Sequence, residues 1–452
     1  MQSAAKMLHM RRLFELYASA AFVTSLAVSL VGALTVSAHA DLIGHGGMVR
    51  SVDVSADGMR AITGSFDYTA RVWNFGDQSE VAVLDLHEGP VTSVRFDPTG
   101  KLALTTSDDF TAILWDMSTF KLLHRLTGHK HKVMTSAYSP AGKLVATGAW
   151  DKSIKLWDLQ SGKESRSIAT NSPVNAIVFL HDGKRLISGG HHPVMQIWNV
   201  ETGDVAGKLE GHRMGITALS LSADGKRLLS ASIDKSIRLW DLETMSELSK
   251  IDVRDGQVYD VQFSPDGKRA LTAGKDGYIV EWDIATGAPV HEIHAHDRIA
   301  WSASYTPDGR FAVSTSSDEQ ARIWHLETGD RIGMTEVAGS EPKPWLQSSH
   351  PGARLFTKCA KCHALSVNAP ARSGPHFAGL FNRKAGSVEN YRYSSALTGV
   401  DFRWDEKNLF RLFSDGPDKM LPGTKMPIQR VTDAKELTEL VDYLRDLTTK
   451  SD

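Results

Sequence analysis

Along most of this chain, apolar and polar residues alternate in short runs, and the runs recur. Tryptophan marks the period. Trp73, Trp115, Trp157, Trp198, Trp240, Trp282 and Trp324 stand 42, 42, 41, 42, 42 and 42 residues apart. Each closes a strand-like run such as Ser153-Ile154-Lys155-Leu156-Trp157. Six residues before each Trp lies Asp67, Asp109, Asp151, Asp234, Asp276 or Asp318, with His192 at that place in the fourth repeat. A second turn, Asp57-Gly58 or its equivalent, separates two further alternating runs, the pattern of a β-hairpin. Each repeat therefore predicts about four short strands. One such sheet cannot bury both faces alone, whereas seven set radially can.

The pattern changes after residue 336. Gly339-Ser340-Glu341-Pro342-Lys343-Pro344 has the composition of a linker. Beyond it, Ala353 to Lys358 reads as helix, and Leu437, Leu440, Val441 and Leu444 recur at helical spacing near the C-terminus. At the other end, Ala18 to Val36 is apolar and uncharged behind Lys6, Arg11 and Arg12. It runs into Ser37-Ala38-His39-Ala40, a small-residue site with cleavage expected after Ala40. An uncleaved anchor is the alternative, since the apolar run is almost long enough to span a bilayer. The expected organisation is a signal peptide at 1–40, a propeller at 41–336, a linker at 337–349 and a second domain at 350–452.

Composition adds one contrast. The net charge of −2 suggests neither nucleic acid nor a membrane surface as partner. From residue 345 onward, however, 16 Lys/Arg stand against 12 Asp/Glu, a difference of +4, which leaves −6 for the first 344 residues.

The chain has two cysteines, in Cys359-Ala360-Lys361-Cys362-His363. Two thiols three positions apart on one helical turn can add to the two vinyl groups of one haem, and the adjacent His is placed to ligate its iron. A zinc site would need a second pair of ligands, and a thioredoxin-like pair would need a strand before the helix. One covalent haem c is the expected cofactor. Haem attachment to an unfolded chain favours Sec-type export, and a bacterial periplasm is the expected compartment.

The repeats, with their period, turns and terminal Trp-Asp, resemble the WD-repeat family over residues 44 to 336. That resemblance implies an all-β, seven-bladed propeller acting as a binding platform. It also implies that the opening His, the turn Asp and the Trp hydrogen-bond within each blade, as His129, Asp151 and Trp157 would. His192 breaks the set in the fourth blade. For ring closure, Arg331-Ile332-Gly333-Met334 is favoured over Asp41-Leu42-Ile43 as the last outer strand.

After the haem motif come Gly374-Pro375, Gly379-Leu380-Phe381, Arg383-Lys384, Trp404 and Pro422-Gly423-Thr424-Lys425-Met426. In this order, residues 350 to 450 resemble the mitochondrial-type class I cytochromes c, an all-α fold. The resemblance implies His363 and Met426 as axial ligands, with Met420 the competing thioether. It implies that the Pro375 carbonyl orients His363, and that Arg383, Tyr393 and Trp404 lie near the haem propionates. Phe413 stands where the family usually has Tyr. Gly352 and Phe356 should pack on the last helix near Tyr443.

Seven positions should ring one mouth of the propeller channel: Arg50, Thr92, Met134, Asn175, Thr217, Tyr259 and Trp301. Arg50, Tyr259 and Trp301 are of the types that anchor interfaces. Trp150, His191 and His192 sit in exposed turns and could add to a contact or metal surface, although no third ligand for the His pair can be named. Lys361, Lys384 and Lys425 could steer the haem edge to an acidic partner. The expected function is single-electron transfer by an exported cytochrome whose propeller docks a protein redox partner, a membrane respiratory complex among the candidates. Two rivals stay open here: a peroxidase-like enzyme, which would need Met426 off the iron, and a redox-sensing or assembly scaffold.

Overall fold

Blade 3 shows how the repeat folds. Its strands, Val133–Tyr138, Leu144–Ala149, Ser153–Asp158 and Glu164–Ala169, pair antiparallel in sequence order. The second strand is buried almost throughout, while the fourth is exposed except at Ile168. A computed structural model describes this protein over residues 41–253, 256–333, 344–360, 363–367, 374–389, 391, 393–424, 426 and 430–449. The expected signal segment lies outside the described residues.

All seven repeats form four-stranded sheets of this order. The second turn of each places one glycine, from Gly58 to Gly309, at φ between 64° and 70°. A side chain resists that left-handed backbone, so the recurring Gly has a steric cause. The first strand of each blade lies against those of its neighbours, and Val49–Val54 meets both Val91–Phe96 and Ala300–Tyr305, closing the ring. Side chains stitch adjacent blades one repeat apart. Asp53 accepts from the Phe96 N–H at 2.8 Å, and Gln262 from the Tyr305 N–H at 2.7 Å.

Within blade 3, His129 Nδ1 meets Asp151 at 2.9 Å and Nε2 meets Thr147 Oγ1 at 2.7 Å. Trp157 Nε1 donates to that same Thr147 oxygen at 2.8 Å. The expected trio is thus joined through a hydroxyl that the sequence reading had not included. The blades of His45, His87, His212 and His296 repeat the arrangement. In the fourth blade only the Trp198 bond to Ser188, at 2.8 Å, survives. His192 takes the place of Asp in the turn, where its Nδ1 accepts from the Val194 N–H at 3.2 Å.

Ring closure uses both ends of the propeller. Arg331 and Ile332 pair with Trp324 and Ile323, and Leu42 bridges Ala321 on the same strand. Arg331 Nε donates to Asp41 at 2.6 Å. The outer strand favoured from sequence is therefore real but two residues long, and Leu42 covers the rest of the edge.

The C-terminal domain holds six helices among the described residues: α1 Pro344–Gln347, α2 Gly352–Cys359, α3 Ser395–Thr398, α4 Glu406–Asp415, α5 Pro417–Met420 and α6 Ala434–Thr449. Helices α2 and α6 cross at Gly352, where a Cβ would collide with the Glu439 carbonyl and Tyr443. Phe356 meets Tyr443 edge-on at 5.7 Å, as expected. The domain begins earlier than residue 350, because Trp345 is buried in its core against Phe356 at 5.3 Å. No helix among the described residues is long and apolar enough to cross a membrane.

Candidate cofactor site

Helix α2 ends at Cys359, whose side chain is buried beside a cavity of about 350 Å³. Cys359, His363 and Met426 all line this cavity, although Met426 comes from a segment far along the chain from the other two. Leu380, Leu409, Leu412, Leu421 and Leu444 supply apolar wall. Part of the domain's hydrophobic core thus opens onto a space, which is the arrangement a large apolar cofactor requires.

His363 is held firmly. Its Nδ1 donates to the Pro375 carbonyl at 2.7 Å, and its ring stacks on Phe377 at 4.3 Å and 12°. With the proton on Nδ1, the lone pair is on Nε2, the atom a metal would take. A Cβ at Gly374 would run into the imidazole, so the ring can occupy its place only beside glycine.

Every expected haem neighbour lines the cavity: Pro375, Arg383, Tyr393, Trp404 and Phe413. The Arg383 guanidinium donates to the carbonyls of Ala378 and His376, both at 2.8 Å. Burial lowers its pKa, and Tyr393 works the other way. Burial raises the Tyr393 pKa. Met420 packs on the core but does not line the cavity, which separates it from Met426.

Ser394 was missed from sequence. It stands at the N-cap of α3, where Ser ordinarily bonds back to the helix, yet it makes no capping bond. Its Oγ is buried without a hydrogen-bond partner, and the residue lines the cavity. A buried orphan hydroxyl is costly unless something meets it. An acidic group of a cofactor would do so. Its only sequence signal was its place beside Tyr393.

Cys362, Lys361 and Lys425 lie outside the described residues. Lys384 is exposed and paired with Asp401 at 3.0 Å. On the propeller, Arg50, Tyr259 and Trp301 come together from three blades. The Arg50 guanidinium lies 4.5 Å over the Trp301 ring, and Trp301 is 4.5 Å from Tyr259. Asn175 and Thr217, at the same position in their blades, instead bond the next blade's Ile216 and Val258 carbonyls. Trp150 sits between His131 and His191 at 5.9 and 5.2 Å. No group of three metal-ligating side chains occurs among the described residues.

Comparison with known proteins covers both regions. A family described as "WD domain, G-beta repeat" matches seven segments, from residues 38–74 to 287–325. The cytochrome c family matches residues 349–448. Cytochrome c of Gibberella zeae is 40% identical over 98 residues, which are 22% of this chain and 92% of that protein. Cytochrome c of Arabidopsis thaliana is 38% identical over 98 residues, 22% of this chain and 87% of the relative. Cytochrome c2 of Blastochloris viridis is 31% identical over 114 residues, 25% of this chain and 89% of the relative. Such a domain carries a covalently bound haem c and transfers electrons through it, and a WD propeller engages proteins. The chain belongs to the WD-repeat family through seven blades and, through its last hundred residues, to the cytochromes c.

Proposed function

We propose that this protein is an exported single-electron carrier in which Cys359 and Cys362 anchor the haem and His363 and Met426 ligate its iron. The observation that carries the reading is convergence: Cys359, His363 and Met426 line one apolar cavity, with His363 Nδ1 committed to the Pro375 carbonyl. Bound there, haem c supplies one reversible electron. The chain's own residues do the rest. Pro375 and Phe377 fix the plane of His363. The leucine walls exclude water. Arg383, Tyr393 and Ser394 offer polar hydrogens where the cofactor's acidic groups need them. His363 and Met426 together would hold the iron without leaving a position for substrate, and a thioether ligand would raise the potential.

The propeller recruits the protein redox partner, with Arg50, Tyr259 and Trp301 as its anchor. The small-residue site ending at Ala40 directs export to the periplasm, where cleavage leaves Asp41 first.

An absorption spectrum of the purified chain, ferrous and ferric, tests this. A c-type ferrous spectrum with the long-wavelength Met–iron charge-transfer band in the ferric form is expected. A c-type spectrum without that band would remove Met426 from the iron and put a peroxidase-like activity first.

A further inference from the structure

The cavity of the haem domain is not walled by that domain alone. Met48, Phe66 and Tyr68 of blade 1, Pro90 at the start of blade 2 and Glu319 of blade 7 line it together with Cys359, His363 and Met426. We infer that the rim of blades 1 and 2 is an intramolecular docking surface: this chain's own propeller covers the mouth of its haem cavity.

Three observations support that occupant. The rim is largely apolar where it meets an apolar opening, with Glu319 its one acidic side chain. Met48, Phe66, Tyr68 and Pro90 are all partly buried there, whereas Phe110, which occupies the turn position of Tyr68 in the next blade, is 44% exposed and lines no part of the cavity. Both turns hold their aromatic at a left-handed φ, 72° for Tyr68 and 70° for Phe110, so the backbone is the repeat's own and the difference lies in what covers the side chain. The charges are also complementary. Residues 41–344 carry 32 Lys/Arg against 40 Asp/Glu, while residues 345–452 carry an excess of four positive charges. Opposite net charges on two parts of one chain favour their association. Finally, only residues 333–343 separate the last strand from α1, and a connection that short sets an effective concentration on the order of millimolar.

The docked rim lies between the haem and any external partner. Large partners then exchange electrons only when the rim lifts, and the observed rate is reduced by the fraction of time it is lifted. The inference rests on the haem reading above, and the test separates the two. A photo-cross-linking amino acid in place of Tyr68, in the haem-loaded full chain, should form an intramolecular link into peptides of residues 374–426, read by mass spectrometry. Links confined to the propeller, or to a second chain, would overturn the docking. The Phe66→Asp variant should take an electron from a protein-sized reductant about tenfold faster, with its Met–iron band unchanged, if about a tenth of the wild type is open at any moment. Equal rates in the two proteins would show that the haem edge is not covered. Absence of the Met–iron band in the wild type would remove Met426 from the iron, and absence of a c-type spectrum altogether would sink the haem reading; the cross-link is judged by itself in either case.

Discussion

His363 Nδ1 donates to the Pro375 carbonyl at 2.7 Å, and the residue before that proline is the glycine on which the imidazole rests. One short segment thus sets both the ring's tautomer and its height. Gly374→Ala would place a methyl group inside the ring's contact distance and tilt the ring. Overpacking of this kind costs about 1–3 kcal/mol. The expected result is a shifted reduction potential and a weakened Met–iron band in a protein that still holds haem covalently. An unchanged potential would mean that the ring is held from elsewhere.

Thr147 tests the logic of the blade. Trp157 donates to its oxygen, so its own proton is left for His129 Nε2, and His129 Nδ1–H is left for Asp151. Thr147→Val keeps the volume and orphans two buried groups. Each such group costs about 1–3 kcal/mol. A urea midpoint followed by tryptophan fluorescence should fall accordingly, and an unchanged midpoint would refute the relay.

The same relay fixes the acid response. Burial lowers the pKa values of His129, His212 and His296, and their Asp partners only partly restore them. These imidazoles are neutral when folded and titrate normally when unfolded, near 6.5. The unfolded chain then binds more protons, so stability is complete above ~6.5 and declines as pH falls below it. Asp234 behaves differently. Burial opposes its charge, but Ser236, the Arg213 N–H and His212 more than offset this and hold its pKa at about 2. Its contribution persists until pH falls below the ordinary carboxylate value of 3.8 and is lost towards 2. Denaturant midpoints across pH should fall in two stages, and a flat profile between ~7.5 and ~5 would contradict the histidine assignment.

Arg331 and Asp41 close the ring, and the Asp41 carboxylate is buried. Arg331→Ala leaves that charge with Arg322, 3.8 Å away, as its nearest cation. A loss below the ~3–5 kcal/mol of a wholly stranded buried charge is expected, because Arg322 remains beside Asp41. Thermal unfolding would show a lower midpoint for the propeller and none for the haem spectrum. Equal midpoints would place the seam's strength in Leu42 alone.

The blades were legible because their causes are periodic. Trp at every 42nd position, Asp six residues earlier and Gly at each hairpin state the geometry directly. His87 and His296 are harder to read, because neither follows a glycine as His129 does, although each stands 22 residues before its Asp. The haem domain was legible for another reason: Cys359, Cys362 and His363 are adjacent in sequence. Met426 and Pro375 came from resemblance, since nothing local says that distant segments meet. Ser394 could not be read at all, because a serine before a helix ordinarily signals a cap. Arg50, Tyr259 and Trp301 were each named from residue type. That they stack into one cluster is a property of the ring, in which positions 42 residues apart become neighbours.

The strand that closes the ring is also the strand from which the haem domain hangs. It is two residues long, and the chain runs from it through Gly333 towards α1. Any tension applied through a partner gripping the haem domain falls first on Arg331 and Ile332. Two backbone pairings, the Asp41 ion pair and the packing of Ile332 resist peeling there, whereas outer strands elsewhere have four or more pairings. The molecule has a mechanical fuse, set at the joint between its two functions.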